Sequence, residues 1–567
     1  MIAAVLVVSL GIGVWSTRQA SKSEEQFFLS GRSMPWWVLG TSMVATTFAI
    51  DTPNLVTQIV RENGVAGNWI WWALLLSTMS TTFIFARLWR RSEVLTDNEF
   101  YELRYSGRSA AFLRAFRALY LGLVFNTLVM ANVNLAGIKF GAVLLGWDPW
   151  QTLFLGCGVT VVYASLGGLR GILLTDGIQF VLAMVGSIAA AVYLIDLPEI
   201  GGIDRLLRSP DVIPKLDMVP DTGNPDLFVA ALVMPLLVVW WSAFYPGAEP
   251  GGGGYIAQRM LAAKSEGHAL GATLLYNIAH YALRPWPWIL IGLCSIVVFP
   301  TTESLQAALP GYEGEVENDL AYPLMLTKLP AGLLGLVIAS LVAAYMSTIS
   351  TQVNIGSSYL THDFYKRFVD HKAEQRKLVW VGRLITVGIV VLAAFVSLAL
   401  ESAKDTFELM LLVGAGSGAI YLLRWLWWRV NATAEITAMV VSFLVAVATK
   451  YFGDGLEGYE KTLIVTGVTT ASWLIACFVG EKTDDETLEH FATKIRPPGP
   501  GWKGLQGEGK KGDLMLRVFA TVCGVLFVWG LLLTIGYVIY GEPLGYALTG
   551  TVSAVGGAGL MHLRKQL

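Results

Sequence analysis

The sequence predicts an all-α integral membrane protein with about 15 transmembrane helices. Hydrophobic residues make up 54% of its 567 positions, and charged residues make up only 14%, against about 25% in soluble proteins. The mean hydropathy is +0.57. The apolar residues form long continuous runs without the period-two alternation of barrel strands, so the expected spanning elements are helices.

Each candidate span is an apolar run close to the ~20 residues that a helix needs to cross a bilayer. The last run is rich in glycine and is the weakest candidate. The stretches 301–330 and 481–514 are expected to be solvated loops, the second of them a cytoplasmic linker. The runs cover residues 1–17, 35–60, 67–87, 118–146, 149–166, 171–196, 226–246, 272–299, 331–359, 378–400, 406–426, 433–451, 461–480, 515–540 and 544–562.

The distribution of Lys and Arg predicts the orientation. With the N-terminus outside, most of the 40 basic residues fall in cytoplasmic loops, above all in 87–117 and 366–383. Run 1–17 lacks a basic leader and is interpreted as a membrane helix, not as a cleaved signal. We therefore expect a multi-pass protein of the plasma (inner) membrane with a cytoplasmic C-terminus.

The composition excludes several other classes. A net charge of −2 argues against a nucleic-acid partner, and the high apolar content argues against a disordered chain. The four cysteines stand alone in apolar runs without a CxxC pair, so we expect core residues and neither a disulfide framework nor a zinc site. No HExxH motif occurs, and neither an enzyme nor an organic cofactor is expected.

Two spans contain helix-breaking sequences. In run 35–60, Asp51-Thr52-Pro53 has the form of a helix start in mid-membrane. It indicates either an ordinary proline kink capped by Asp51 or a discontinuous helix whose ends face an ion and a solute. After run 226–246, Pro246, Pro250 and the glycines 251–254 end the helix. That sequence indicates either a simple loop or a second discontinuous helix.

Polar residues inside other spans are candidate functional groups. Ala344, Ser347, Thr348 and Thr351 share one helical face, with Ser350 beside them. Their oxygens would suit a small hard cation, although such hydroxyls also bond back to their own helix. Ionisable residues in spans are functional candidates by default. For Asp176 the alternative is an interfacial cap, and for Lys139 it is a side chain that snorkels to the surface. We draw no inference from Arg284.

Four strings in order over residues 23–368 resemble the sodium:solute symporter family, which contains the bacterial sodium/proline and sodium/galactose carriers. They are EEQFFLSGRSMPWWVLGTSMVAT, GGLRGILLTDGIQF, YIAQRMLAAKS and DLAYPLMLTKLPAGLLGLVIASLVAAYMSTISTQVNIGSSYLTHDFYK. The resemblance implies a leucine-transporter-type core of two inverted five-helix repeats, 35–196 and 226–426. One helix, 1–17, would precede the core, and accessory helices in 433–567 would follow it.

The resemblance also implies where sodium, the transported co-substrate, would bind. The principal site would use the carbonyls of Ala45, Phe48 and Ala344 with the hydroxyls of Ser347 and Thr348. A possible second site, present in some relatives, would use Asp176, Ser347, Ser350 and Thr351.

The solute site would lie between the two helix breaks. Thr52 stands where the galactose carrier has a glutamine, and 246–254 resembles an insertion. Asp51 would suit an ammonium group and Lys139 an anion; if the two pair, a neutral sugar or polyol fits equally well. The candidate solute-binding residues are Asp51, Thr52, Asn54, Asn134, Trp241, Ser242 and Tyr245.

The predicted function is sodium-coupled symport of a small organic solute, such as a sugar, an amino acid or an organic acid, into the cell by alternating access. The alternatives are a proton-coupled or sodium-independent carrier, with Asp51 or Asp176 as the proton site, and a transporter-like membrane sensor. The sequence leaves the solute, the number of sodium ions and the oligomeric state open. The expected partners are the solute and the lipid bilayer.

Overall fold

The computed structural model describes residues 2–223, 225–242, 249–310, 312, 315–400, 403–502, 504 and 514–566. These residues form helices and connecting loops without any β-strand; two isolated bridges, Met34 to Ala263 and Trp427 to Gly501, are the β-pairings among them. The prediction of an all-α protein is confirmed. The four cysteines are buried and free, as predicted.

Fifteen helical segments are labelled in chain order. Several of them contain a π-helical turn. They are α1 (Ile2–Ala20), α2 (Trp36–Thr46), α3 (Thr52–Asn63), α4 (Val65–Ser92), α5 (Gly107–Leu145), α6 (Pro149–Ile195), α7 (Gly254–Ala262), α8 (Glu266–Val298), α9 (Ala331–Val369), α10 (Gln375–Ser397), α11 (Ala403–Leu426), α12 (Ala432–Phe452), α13 (Gly458–Val479), α14 (Leu514–Tyr540) and α15 (Pro543–Leu563).

The number of spans differs from the prediction. Among the described residues, 11 helices are long and apolar enough to cross a membrane. Run 35–60 is not one of them because it is divided into α2 and α3. The described part of run 226–246 is not one either, because its continuous helical stretch, residues 225–237, is too short and is followed by the 3-10 turn Val239–Trp241. The 15-span count and the two five-helix repeats therefore stay predictions.

Runs 149–166 and 171–196 form two helices that meet at a kink, and the whole segment Pro149–Ile195 is labelled α6. Gly168 bends it, with φ 54° and ψ −162°. A Cβ at Gly168 would lie 2.7 Å from the carbonyl oxygen of Phe27. The positive φ and the close neighbouring backbone both require glycine here.

Helix α15 corresponds to the glycine-rich run that was the weakest candidate. Its small residues allow it to pack closely on α14: a Cβ at Gly556 would lie 2.5 Å from the backbone nitrogen of Phe527. Small residues let neighbouring membrane helices approach each other in this way.

The short helix Glu24–Leu29 joins α1 to α2 and is anchored to the end of α9 through Glu24. Its carboxylate accepts a hydrogen bond from Lys366 (2.8 Å) and lies 2.7 Å from Nδ1 of His362. Burial raises the pKa of Glu24, but the hydrogen bonds and positive charges of His362 and Lys366 outweigh burial and hold the pKa below its ordinary value of 4.5. Glu24 is therefore a charged anchor between distant segments.

Candidate ion and solute sites

The chain is non-helical between α2 and α3, where residues 47–51 connect them. Pro53 lies in the first turn of α3, and the backbone nitrogen of Thr52 donates to the Ala49 carbonyl (3.2 Å). The predicted break is confirmed. The interpretation of Asp51 as a side-chain cap is wrong, because Asp51 makes no capping hydrogen bond. Its buried Oδ1 has no hydrogen-bond partner within the described residues.

Helix α9 lies against the end of α2 at this break. The Thr348 hydroxyl donates to the carbonyl of Thr46, the last residue of α2, at 2.9 Å. Ala45, Phe48 and Ala344 are buried, each at most 2% exposed. One hydroxyl of α9 therefore meets one backbone carbonyl at the end of the interrupted helix, away from solvent. Thr348, Ala45, Phe48 and Ala344 belong to the set predicted for the principal sodium site, whereas Thr46 does not, and the fifth member, Ser347, bonds to Asp176.

Asp176 lies in the interior of α6 and is completely buried. The interfacial-cap interpretation of Asp176 is therefore wrong. The Ser347 hydroxyl donates to its Oδ1 at 2.7 Å. The Thr351 hydroxyl instead lies 3.1 Å from the Thr46 hydroxyl, and Ser350 bonds back to the Ser347 carbonyl at 3.1 Å. The structure brings Asp176 and Ser347 into direct contact, while Ser350 satisfies its own helix.

Two neighbours of Asp176 were not predicted. Ser42 of α2 donates a short hydrogen bond to Oδ2 of Asp176. Arg259 of α7, completely buried, places its Nη2 3.7 Å from the same oxygen and donates to Thr351 at 2.7 Å. The signal for Arg259 was a charged residue inside the string YIAQRMLAAKS. The pairing was not predictable, because Arg259 and Asp176 are far apart in the chain.

A narrow cleft with a cavity volume of about 120 Å³ runs along α3 from the helix break to the loop before α9. Asp51, Thr52 and Asn54 line it, as predicted for a solute site, and so does Lys139. Further polar lining residues were not predicted. They are Thr47, Gln58, Asn132, His280, Arg284, Glu317 and Asp319.

Arg284, from which no inference was drawn, holds the inner end of this cleft together. Its Nη1 donates to the Thr47 hydroxyl (3.0 Å) and to the Val44 carbonyl (3.3 Å). Nδ1 of His280 lies 3.0 Å from the same Thr47 hydroxyl. The guanidinium also lies over the Trp288 ring, 5.5 Å from its centroid. Arg284 and His280 on α8 thus bind the non-helical segment directly.

Lys139 is paired with Asp319 at 2.8 Å. Neither the snorkelling interpretation nor a pair with Asp51 describes this contact. Asn134 does not belong to the residues that line the cleft. Its Oδ1 instead accepts a hydrogen bond from the Tyr345 hydroxyl at 2.5 Å. The structure therefore separates Asn134 and Asp51, although both were predicted for the solute site.

The residues predicted from the second break lie in different places. The Trp241 indole donates to the Ala415 carbonyl of α11 at 3.2 Å. Ser242 faces a smaller cavity that Thr78, Glu249 and Tyr276 also line. Tyr245 lies outside the described residues, as does part of the predicted insertion 246–254. The described part of the insertion, from Glu249 onward, is non-helical up to α7.

Glu249 was not predicted as a functional residue, yet it joins distant helices. Its carboxylate forms a short ion pair with Arg117 of α5 and a second one, at 3.0 Å, with Arg424 of α11. All three side chains are at most 3% exposed. Arg424 also lies 3.6 Å from Glu435 of α12. A buried network of charges therefore ties the segment after the second break to three long helices.

The donor set at the helix break suits an alkali cation better than a transition metal. It consists of neutral carbonyls and hydroxyls, the oxygen ligands that hard cations prefer. Within the described part of the chain, no three His, Cys, Asp or Glu side chains are grouped as a metal site would require.

An interrupted membrane helix with polar side chains and carbonyls at the break, beside a cleft, is typical of ion-coupled secondary transporters. Comparison with known proteins identifies the group. Residues 27–442 match the profile of the sodium:solute symporter family. This match covers well over half of the chain, and the protein belongs to that family, which is a family of transporters and not of enzymes.

Characterised relatives cover most of the chain. The sodium/glucose cotransporter of Vibrio parahaemolyticus is 25% identical over 494 residues, which are 83% of this chain and 89% of the relative. The human sodium/myo-inositol cotransporter is 27% identical over 542 residues, 86% of this chain and 73% of the relative. Among solved structures, a Na⁺-coupled sialic acid symporter in a substrate-bound outward-open state superposes with a TM-score of 0.68 at 20% identity. That match covers 85% of this chain and 97% of the other.

These comparisons, with the 11 apolar helices among the described residues, make the chain a multi-pass membrane protein of a sodium-coupled solute symporter family. Sodium is the co-substrate of this class. The likeness to the sialic acid symporter concerns the fold alone.

Proposed function

We propose that this protein uses the sodium gradient to carry a small polar organic solute into the cell by alternating access. One observation carries the proposal: the Thr348 hydroxyl lies 2.9 Å from the Thr46 carbonyl at the break between α2 and α3. The proposed sodium ligands are the carbonyls of Ala45, Phe48 and Ala344 with the hydroxyls of Ser347 and Thr348. A sodium ion there would replace the Thr46–Thr348 hydrogen bond and bridge the broken helix to α9.

The solute would bind in the cleft beside the same break. Asp51, Thr52 and Asn54 offer acceptors and donors there, and Arg284 and His280 add a positive charge and an imidazole. Because both an acid and a base line the cleft, a solute rich in polar groups fits it best: a sugar, an amino acid or an organic acid. We keep Asn134, Trp241, Ser242 and Tyr245 as candidates that would approach the solute as the two repeats rearrange.

The coupling follows from the shared segment 47–51. Thr47 and Asp51 line the cleft, and the proposed sodium ligands Ala45 and Phe48 lie beside or within this segment, so sodium binding would order the backbone that forms the solute site. One sodium ion that crosses about 100 mV and a tenfold gradient releases about 3.7 kcal/mol, enough for roughly a 500-fold solute gradient.

The proposed setting is the plasma (inner) membrane, with the N-terminus outside and the C-terminus cytoplasmic. The cleft extends to the end of the bundle where Lys139 pairs with Asp319, which is the outer end in this orientation. Support comes from the basic loops at the opposite end, where Arg114 and Lys366 lie.

A proton-coupled carrier is the second candidate, and the observation that favours it is the buried, unpartnered Oδ1 of Asp51. A carboxylic acid at this position would be able to bind and release a proton. This candidate predicts stability that depends on pH and not on the choice of sodium or potassium.

Thermal unfolding of the purified protein in sodium against potassium separates the two candidates. An ion that binds only the native state adds about 2.7 kcal/mol at a hundredfold excess over its Kd. We expect sodium-specific stabilisation of the wild type and of Thr348→Ser, which keeps the hydroxyl, and its loss in Thr348→Val. A matched control is Thr386→Val, because the Thr386 hydroxyl bonds only to its own helix at Gly382. Equal stability of the wild type in both cations would overturn the proposal.

A further inference from the structure

The carboxylate of Asp176 is surrounded by hydroxyls and one guanidinium. Ser347 donates to Oδ1 (2.7 Å), and Ser42 donates to Oδ2. The Ser42 oxygen in turn accepts from both Nε and Nη2 of Arg259, at 3.2 Å each. We call Asp176, Ser42, Ser347, Arg259 and Thr351 the Asp176 cluster. All five residues are 0% exposed.

Arg259 takes up the ligands that a cation in this cluster would need. Its Nη2 lies 3.7 Å from Oδ2 of Asp176 and 2.7 Å from the Thr351 hydroxyl. Its Nη1 donates to Gln258 at 2.8 Å, which fixes the direction of the guanidinium. Charge repulsion from a guanidinium about 4 Å away, at an effective dielectric constant near 20, would lower the affinity of a sodium ion for this cluster roughly a thousandfold.

We propose that Arg259 is the built-in cation of this cluster and that the protein therefore binds a single sodium ion, at the principal site. The inference rests on the proposed function and goes beyond it by setting the number of coupling ions. The guanidinium charge balances Asp176, so the cluster is neutral without a second sodium.

The Asp176 cluster also contacts the principal site. Arg259 is therefore also a positioning residue for the end of α2. Thr351 accepts from Arg259 and lies 3.1 Å from the Thr46 hydroxyl, and Thr46 donates to the Ser42 carbonyl at 2.9 Å. Thr46 is the residue whose carbonyl receives Thr348. Arg259 therefore supports the end of α2 through a chain of hydrogen bonds that ends beside the principal ion.

The test counts ions without any knowledge of the solute. At saturating sodium and constant ionic strength, with choline as the replacement cation, the free energy of unfolding rises with the logarithm of sodium concentration at a slope proportional to the number of bound ions. We expect a one-ion slope for the wild type and for Arg259→Lys, which keeps the charge. We expect the slope to double in Arg259→Gln and to return to one ion in the double variant Arg259→Gln, Asp176→Asn.

Two results would overturn the inference. One is a two-ion slope in the wild type, which decides the matter even if the variants fail to fold. The other is a one-ion slope in a well-folded Arg259→Gln protein, since this would show that Arg259 is not what excludes a second sodium ion. Neither result touches the proposed function. That proposal fails separately, if sodium does not stabilise the wild type more than potassium does.

Discussion

Replacement of Glu249 by glutamine tests whether buried ion pairs stabilise the segment after the second helix break. Glu249→Gln keeps the shape of the side chain but removes the negative charge between Arg117 and Arg424, which are 0% and 1% exposed. Loss of one partner from a buried ion pair costs about 3–5 kcal/mol, because an uncompensated charge stays buried. Arg424 keeps Glu435 at 3.6 Å, so we expect the lower end, about 3 kcal/mol.

The assay is equilibrium unfolding in mixed micelles, followed by the fluorescence of the 20 tryptophans. The matched control is Glu266→Gln. Glu266 pairs with Arg91 at 2.8 Å, but both side chains are partly exposed, 38% and 25%. We expect the control to lose about 1 kcal/mol or less, as exposed pairs do.

The reasoning would be refuted by equal losses in the two variants, or by a more stable Glu249→Gln protein. Equal losses would mean that solvent screens the charges of the buried network as strongly as it screens the charges of the surface pair. A gain would mean that desolvation of the carboxylate costs more than its two ion pairs return.

Three further predictions concern packing, pH and the separation of the sites. We expect Gly40→Ala to cost about 1–3 kcal/mol of unfolding free energy, because its Cβ would lie 2.7 Å from the Ala272 carbonyl oxygen. Gly177→Ala, which has open space, is the control, and equal effects would contradict the packing argument. Glu24 has a lowered pKa, so its contribution to stability is complete above its ordinary pKa of 4.5 and is lost as the pH falls below that value. Unfolding of Glu24→Gln should therefore differ from wild type near neutral pH and converge with it in acid; a difference that does not depend on pH would refute the assignment. We expect Asp51→Asn to keep the sodium-specific stabilisation, because its side chain is not a proposed sodium ligand, and loss of that stabilisation would contradict separate ion and solute sites.

Several features were predictable from sequence because they depend on neighbouring residues. The membrane class follows from apolar runs of about 20 residues. The break between α2 and α3 follows from Thr52-Pro53, since a proline near a helix start acts on its own turn. The alignment of Ser347, Thr348 and Thr351 follows from helical periodicity.

Other features were not predictable, because they depend on which helices pack together. Asp51 has the sequence of a cap, but the structure leaves its side chain in the cleft. Lys139 was expected to snorkel, to face an anionic solute or to pair with Asp51, and only the fold supplied Asp319. Runs 149–166 and 171–196 were predicted as two helices, but only the structure shows that they meet directly at a kink at Gly168.

The charge pairs give the clearest division between sequence and tertiary structure. The sequence by itself determined that charged residues inside spans must find partners, because an unpaired charge in a membrane is costly. Only the tertiary structure decided that Asp176 meets Arg259 and that Glu249 meets Arg117 and Arg424. Local propensity acts over a turn or two of helix, whereas these pairs form between segments far apart in the chain. Their choice of partner is therefore a property of packing.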